Sequence, residues 1–238
     1  MSSDYRIERL QMSDTGEGCL FFKWNCQTIS PWHDIPLFAD NECETLNMIA
    51  EIPRQSKAKM EISKEDIYNP IKQDTSNGQP RQLADIPPFQ GYPCNYGALP
   101  QTWEDPNAID THTGIGGDDD PLDVCEIGSA IATCGQVKKI KPLGAFALLD
   151  EGQTDWKIVA IDVGDPLANE LSDICDVERC LPGYLDSLKD WYRRYKVPEG
   201  KGMNKLGLGG ELMSRQFALD LIDHCYSAWK PRKGYPDA

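Results

Sequence analysis

Short apolar segments separated by turn-forming residues occupy the first two thirds of the sequence and constrain its fold most strongly. Up to about residue 165, these segments are CLFFKWNCQTI, LNMIAEI, AKMEI, DVCEIG, QVKKIKPLGAFALLD and WKIVAIDV, and Gly, Pro, Asn and Asp clusters separate them. Pro-rich turns at IPPFQGYP and ALPQTWEDP make long helices improbable there. Strands that follow one another closely predict a mainly antiparallel barrel or sandwich.

The spacing of apolar residues changes after about residue 168. The segment PGYLDSLKDWYRRYKVP carries apolar and aromatic residues at helical spacing, with Pro182 suited to the helix start and Pro198 to its end. A second helical stripe runs through ELMSRQFALDLIDHCYSAWKP and is closed by Pro231. Two helices after the strands are therefore predicted.

The sequence contains no fixed-period repeat, low-complexity segment or linker that would divide it. We therefore predict one domain over residues 1–238, of the mainly β (α+β) class. Its β-barrel core would occupy about residues 20–165, with helices at about 182–230 packed on it.

The balance of charge limits the possible partners. The formal net charge is −14, whereas duplex binding depends on Lys and Arg that neutralise phosphates. A nucleic-acid partner is therefore not expected. Divalent cations, or an anion bound locally, remain compatible with the charge, and acidity that serves only solubility is the simpler alternative.

The N-terminal sequence and the cysteines predict a cytoplasmic protein. MSSDYRIERLQ has no apolar signal-peptide core, and no apolar run approaches the roughly 20 residues of a spanning helix. The nine cysteines include no C-x-x-C pair, which is typical of reduced thiols rather than of a disulfide framework. We expect neither secretion nor a membrane partner.

The segment GIGGDDDPLDV crowds four carboxylates, those of Asp118, Asp119, Asp120 and Asp123. An Asp run is more often a solvated turn, where two charges about 5 Å apart cost under about 1 kcal/mol. This run, however, leads into the alternating strand LDVCEIG, which carries Asp123 into regular structure. A partly buried pair would cost roughly 3 kcal/mol, so cations or protons must compensate. Oxygen ligands of this kind select Mg²⁺ or Ca²⁺.

Known carboxylate motifs fit this segment unequally. An EF-hand fails because its twelfth position would be Ser129 instead of Glu. An aspartyl-phosphate phosphatase fits poorly because glycines, not a buried apolar strand, precede the run. The D-x-D of metal-dependent glycosyltransferases is met by Asp118 and Asp120, but so short a motif is weak evidence.

A second acidic segment, LLDEGQTDWK, has the same layout. An apolar run ends in Asp150, a Gly turn follows, and Asp155 and Lys157 fall on one face of the next strand. An ordinary acidic hairpin would also explain this segment alone. Two acidic strand ends in one chain favour a shared metal pocket.

Cations and tyrosines that could bind phosphate lie elsewhere in the sequence. Each alone is more often a solvated charge or a core tyrosine, so a phosphate site requires that they converge. The candidate cations and tyrosines are Arg54, Lys57, Lys59, Arg81, Tyr92, Tyr96, Arg193, Arg194, Tyr195 and Lys196. Two acids, Glu51 and Glu61, lie in the same segment as Arg54, Lys57 and Lys59.

At this point the residues resemble a known family. DDDPLD fits the D-x-D-P-x-D signature of the soluble family I inorganic pyrophosphatases. HDIPLFAD, MIAEIPR, AKMEI, NYGALPQTWEDPN, LLDEGQTDWKIVAID and YRRYKVP resemble eukaryotic members, in the right order, from about residue 20 to 230. The resemblance implies a five-stranded OB-like barrel with C-terminal helices, a homodimer, and Mg²⁺-dependent hydrolysis of diphosphate to two orthophosphates. Mn²⁺ or other divalent ions are possible substitutes.

The resemblance also implies roles for individual residues. Asp118, Asp123 and Asp155 would hold the central metals, Asp150 a metal that arrives with the substrate, and Glu61 a further metal. Asp120 would be the general base that orients and deprotonates the water between the metals. The implied phosphate-binding residues are Lys59, Arg81, Tyr96, Lys157, Tyr195 and Lys196. Glu51 and Tyr92 would support them or contact metal-bound water.

Two rival functions stay open at this level. One is a metal-dependent glycosyl- or nucleotidyl-transferase that uses Asp118 and Asp120. The other is a non-enzymatic OB-type binding module, for example for oligonucleotides, which the charge of −14 disfavours.

Overall fold

The computed structural model describes residues 5–11, 18–40 and 44–232 and is built mainly of β-strands. The strands are β1 (Arg6–Gln11), β2 (Gly18–Trp24), β3 (Gln27–Ile29), β4 (Leu46–Ile52), β5 (Met60–Ile62), β6 (Ile71–Gln73), β7 (Thr75–Ser76), β8 (Gln79–Pro80), β9 (Asn95–Ala98), β10 (Asp123–Glu126), β11 (Val137–Asp150), β12 (Gln153–Asp162) and β13 (Lys205–Leu206). The helices are α1 (Ile174–Cys180), α2 (Tyr184–Arg194) and α3 (Arg215–Trp229), with 3₁₀ turns at Val197–Glu199, Gly207–Gly210 and Lys230–Arg232.

Five strands form a closed ring of pairings. Their order is β12-β10-β9-β4-β11, and β11 also pairs with β12, which closes the ring. Within it only β10 and β12 run parallel; the other pairings are antiparallel. The prediction of a mainly β, five-stranded barrel followed by helices is therefore confirmed.

Burial on both faces explains the long apolar runs of the barrel strands. Every residue of β4 is buried, and so are eight of the ten residues in β12. Strands covered on both faces read as continuous apolar segments rather than as alternating ones. Backbones also approach closely here: a Cβ on Gly97 would lie 1.9 Å from the carbonyl oxygen of Ile49.

The first strands form a separate sheet instead of joining the barrel. The order of this sheet is β1-β2-β6-β5, with β3 paired to β2. CLFFKWNCQTI thus folds as the β2–β3 hairpin of this sheet, and AKMEI supplies its edge strand β5. Periodicity predicts strands but not their partners, so the sequence could not distinguish this sheet from the barrel.

The helices pack on the barrel through their apolar faces. On α2 the buried residues are Leu185, Leu188, Trp191 and Tyr192, which join a core cluster with residues of the barrel strands. Helix α3 buries its own stripe, from Ala218 to Trp229. Helix α1 was not predicted, because its seven residues bury only two side chains and give little periodicity.

No helix within the described ranges has both the length and the apolar character needed to cross a membrane.

Candidate active site

A polar cleft of about 470 Å³ lies between the barrel and the separate sheet. Strands β4, β9 and β10 supply one wall, and β5 and β6 supply the other. The charged and tyrosine side chains on its walls are Glu51, Lys59, Glu61, Lys64, Glu65, Lys72, Asp74, Tyr96, Asp120 and Asp123. Six of the residues singled out in the sequence therefore share one cleft, namely Glu51, Lys59, Glu61, Tyr96, Asp120 and Asp123.

The parallel pairing of β10 and β12 sets the centre of the site. Asp123 and Lys157 occupy paired positions on these strands. The Lys157 ammonium contacts Asp123 and lies 2.5 Å from an oxygen of Asp155, which precedes it by two residues on the same strand face. The Tyr96 hydroxyl also donates to Asp123, at 2.5 Å. The buried Lys157 ammonium thus binds two carboxylates from neighbouring strands.

Burial makes it costly to ionise the central acids together. It raises the pKa of Asp155 to about 7, with Lys157 acting in the opposite direction and Asp123 adding to the rise. Partial burial raises the pKa of Asp118 well above its ordinary value, and the charges of Asp155 and Asp120 raise it further. Protons or cations are needed to balance this cluster.

Asp120 lies at the solvent side of the cluster, with 48% of its side chain exposed. The Lys64 ammonium is 2.8 Å from its carboxylate. Loss of water around Asp120 raises its pKa, and Lys64 opposes this effect. Sequence reasoning missed Lys64, because the only signal of its role is a positive charge in a loop segment.

Asp119 is not among the residues that line the cleft, and its carboxylate has partners within the protein. Its carboxylate accepts hydrogen bonds from the Trp103 indole at 2.8 Å and from Arg232 at 3.1 Å, and it lies 3.5 Å from Lys64. Its backbone adopts a positive φ of 70°. The side chain therefore links the acidic turn to the 3₁₀ turn that follows α3, and sequence reasoning did not predict this contact.

Glu51 on β4 and the Lys59–Glu61 pair at β5 lie on the two opposite walls of the cleft. The ammonium of Lys59 lies 3.0 Å from Glu61. Glu51 is buried and accepts a hydrogen bond from the backbone N–H of Ile62 at 2.6 Å. Burial raises the pKa of Glu51 to about 8, although the nearby Lys59 lowers it.

Asp150 contacts two residues that follow α2, Tyr195 and Lys196. It accepts from the Tyr195 hydroxyl at 2.9 Å and lies 2.5 Å from the Lys196 ammonium. Asp150 is also close enough to Asp155 for its charge to contribute to the raised pKa of Asp155. Asp150 and Asp155 both belong to the second acidic segment. Because Asp155 shares Lys157 with Asp123 of the first segment, the two acidic segments form one electrostatic neighbourhood.

Arg81 is held between two carboxylates. It lies 3.0 Å from Asp74 and 3.0 Å from Glu199. Burial lowers the pKa of the Arg81 guanidinium, but the carboxylates of Asp74 and Glu199 outweigh this effect and raise it. Arg81 is thus near the residues that follow α2, although it does not line the cleft.

A row of aromatic rings joins the two parts of the site. Ring centroids are 5.2 Å apart for Tyr96 and Tyr92, 4.9 Å for Tyr92 and Trp191, and 5.3 Å for Trp191 and Tyr195. All four residues are buried. The row fixes the phenol of Tyr96 near Asp123 and that of Tyr195 near Asp150.

Glu104 is a further acid at the centre, and sequence reasoning missed it. It is 5% exposed, and ligand atoms of Glu104, Asp118 and Asp155 lie within 4.8 Å of one another. Burial raises its pKa well above the ordinary value, and the charges of Asp118 and Asp155 add to the effect. Its segment, ALPQTWEDP, reads as a Pro-rich loop, so nothing in the sequence singled it out.

These donors suit a hard divalent cation. Carboxylate oxygens from three separate segments converge, and the acids of the cluster resist ionising together without a compensating charge. Mg²⁺ and Ca²⁺ prefer such oxygen ligands. A cation bound among them would supply the missing positive charge.

Comparisons with known proteins agree with this chemistry. The family model described as inorganic pyrophosphatase matches residues 48–230. The inorganic pyrophosphatase of Neurospora crassa is 49% identical over 230 residues, which is 97% of this chain and 79% of the relative.

Solved structures give the same result. The inorganic pyrophosphatase of Schistosoma japonicum superposes with a TM-score of 0.92 at 45% identity, and the match covers 94% of this chain and 80% of that one. A truncated vacuolar soluble pyrophosphatase of Trypanosoma cruzi, solved in complex with PPi, gives a TM-score of 0.86 at 35% identity, covering 98% of this chain and 93% of that one. This chain therefore belongs to the inorganic pyrophosphatase family, whose members are metal-dependent enzymes that hydrolyse diphosphate.

Proposed function

We propose that the cleft hydrolyses diphosphate, bound as a magnesium complex, to two orthophosphates. The observation that carries this proposal is the convergence of buried carboxylates with Lys157 and Tyr96 at one end of the paired strands β10 and β12. The acids suit Mg²⁺, with Mn²⁺ or another divalent ion as a substitute, and the cations suit the phosphate groups.

Asp118, Asp123 and Asp155 are the proposed ligands of the central cations. Asp150 would bind a cation that arrives with the substrate, and Glu61 a further one. The raised pKa values of Asp118 and Asp155 support this assignment, because both acids need a compensating positive charge. When bound, the divalent cations lower the pKa of a coordinated water and neutralise charge on the phosphoryl oxygens.

Asp120 is the proposed general base. The half-exposed position of its carboxylate on the cleft wall leaves room for a water beside it. Asp120 would orient this water and accept its proton as the water oxygen attacks phosphorus and the bridging P–O bond breaks. Burial raises its pKa, which makes the ionised carboxylate a stronger base, while Lys64 stabilises the ionised form.

Six residues are proposed to bind the phosphate groups: Lys59, Arg81, Tyr96, Lys157, Tyr195 and Lys196. Each of the six has a carboxylate partner in the structure. Each could exchange that partner for phosphate oxygens once cations occupy the acids. Glu51 and Tyr92 would position the residues that bind the phosphate groups and cations. Glu51 would do so through its hydrogen bond to the strand that carries Glu61, and Tyr92 through its ring contact with Tyr96.

Phosphate release from diphosphate in the presence of Mg²⁺ tests the proposal. The wild type should be active, and Asp120→Asn should lose about 10²- to 10⁴-fold in rate, because a general base contributes that much. Asp186→Asn is the matched control, because the same change falls on an 84% exposed side chain. An inactive wild-type protein would contradict the proposed function. Full activity of Asp120→Asn would show that Asp120 is not the general base.

The same assay addresses the two rival functions. A glycosyl- or nucleotidyl-transferase would release no orthophosphate from diphosphate alone, and a non-enzymatic binding module would show no turnover. The family assignment favours neither rival.

The remaining expectations concern the whole molecule. We propose one folding unit, a homodimer and a cytoplasmic location. The core cluster that joins barrel strands to α1 and α2 supports one folding unit, which a single cooperative unfolding transition would test. The homodimer rests on the family resemblance, and light scattering should give twice the chain mass.

A further inference from the structure

We infer that Glu104 supplies a further carboxylate to the central cation site, next to the proposed ligands Asp118 and Asp155. This inference rests on the proposed function, because it takes Asp118 and Asp155 as metal ligands. Ligand atoms of the three residues lie within 4.8 Å of one another.

One oxygen of Glu104 lacks the partner that a buried carboxylate requires. Its Oε1 accepts from the backbone N–H of Trp156 at 3.1 Å. Its Oε2 is buried and has no hydrogen-bond partner within the described part of the chain. A buried acceptor left unsatisfied costs about 1–3 kcal/mol, and more when it is charged, so such an oxygen points to a ligand.

The backbone holds Glu104 in place relative to the acidic turn. Its N–H donates to the carbonyl of Asp120 at 2.9 Å, and its carbonyl accepts from the N–H of Asp119 at 3.0 Å. Gly117 allows this close approach, since a Cβ there would lie 2.4 Å from the Glu104 carbonyl oxygen. The turn that bears Asp118 is therefore fastened directly to Glu104.

The same side chain is also fixed to the strand that bears Asp155. Trp156, the donor to Oε1, is the residue that follows Asp155 on β12. Glu104 thus connects two segments whose acids must keep a constant separation to bind one cation. Preorganised ligands of this kind increase metal affinity.

Metal binding by the substrate-free protein tests the inference. Mn²⁺ would be titrated into EDTA-stripped protein and followed by electron paramagnetic resonance of the free ion. Glu104→Gln should weaken the tightest site at least about tenfold, by analogy with the effect of losing groups that support a metal site. Glutamine keeps an acceptor for Trp156 and changes only the charge.

Glu65→Gln is the matched control, because Glu65 is exposed on the same cleft and its loss removes one charge. Equal affinity in Glu104→Gln and wild type would overturn the inference, since Glu104 would then be a neutral structural acid. An equal loss in both variants would also overturn it, because general charge would explain the effect.

A second variant covers the case in which Glu104→Gln does not fold. Glu104→Asp keeps the charge but shortens the reach, so the inference expects weaker Mn²⁺ binding than in wild type, and unchanged binding would overturn it. Because the titration contains no diphosphate, its failure is distinguishable from failure of the proposed function, which appears as missing phosphate release.

Discussion

The pKa of Glu51 makes a quantitative prediction about the metal-free protein. The ordinary pKa of a glutamic acid is 4.5, and burial raises that of Glu51 to about 8. Between these two pH values Glu51 is therefore protonated in the folded protein and ionised in the unfolded chain. The contribution of Glu51 to the free energy of unfolding is fully present below about pH 4.5 and is lost as the pH rises towards 8. From pH 5 to 8 the loss amounts to ~4 kcal/mol, at ~1.4 kcal/mol per pH unit.

Glu51→Gln isolates this effect. Glutamine cannot ionise, and its side-chain oxygen can still accept from the N–H of Ile62. Urea unfolding of both proteins in EDTA, at pH 5, 6, 7 and 8, gives the free energy of unfolding at each pH. The wild-type value should fall by ~4 kcal/mol more than that of the variant across this range. Parallel curves for the two proteins would refute the reasoning.

Three further changes test other parts of the structure. Asp123→Asn should raise the Mg²⁺ concentration needed for half-maximal phosphate release by about tenfold or more, and an unchanged requirement would remove Asp123 from the ligands. Asp119→Ala should lower the free energy of unfolding by about 1–3 kcal/mol, since it removes the acceptor that Trp103 and Arg232 share. An unchanged free energy of unfolding in urea would show that these hydrogen bonds do not stabilise the protein. Gly97→Ala should destabilise the barrel by about 3 kcal/mol, because its methyl group would meet the Ile49 carbonyl, and a native urea midpoint would contradict this packing.

Local patterns in the sequence predicted the elements of the fold better than their partners. The two helical stripes predicted α2 and α3, because each places apolar residues on one face over several turns. The short helix α1 escaped notice because one buried turn gives no periodic signal. The separate sheet was merged with the barrel, since strand pairing depends on contacts between distant segments.

The candidate site shows the same division. The aspartates crowded at strand ends could be identified as site candidates from the sequence, because several like charges close together require compensating cations or protons. Glu104 and Lys64 could not, since each is a single charge in a loop and only folding brings it to the acidic turn. Asp119 lies among visible aspartates, yet its contact with Arg232 spans 113 positions of the chain, which no local pattern reveals.

The parallel pairing of β10 with β12 has a consequence for how the site responds to stress. Asp123 and Lys157 are neighbours across one rung of the ladder, so the spacing of backbone hydrogen bonds, about 4.8 Å between strands, sets their separation. Fluctuations of surface loops leave such a spacing unchanged. The charge geometry at this rung should therefore persist as long as the barrel does and disappear with it in one event, so that heat inactivation and barrel unfolding share a midpoint.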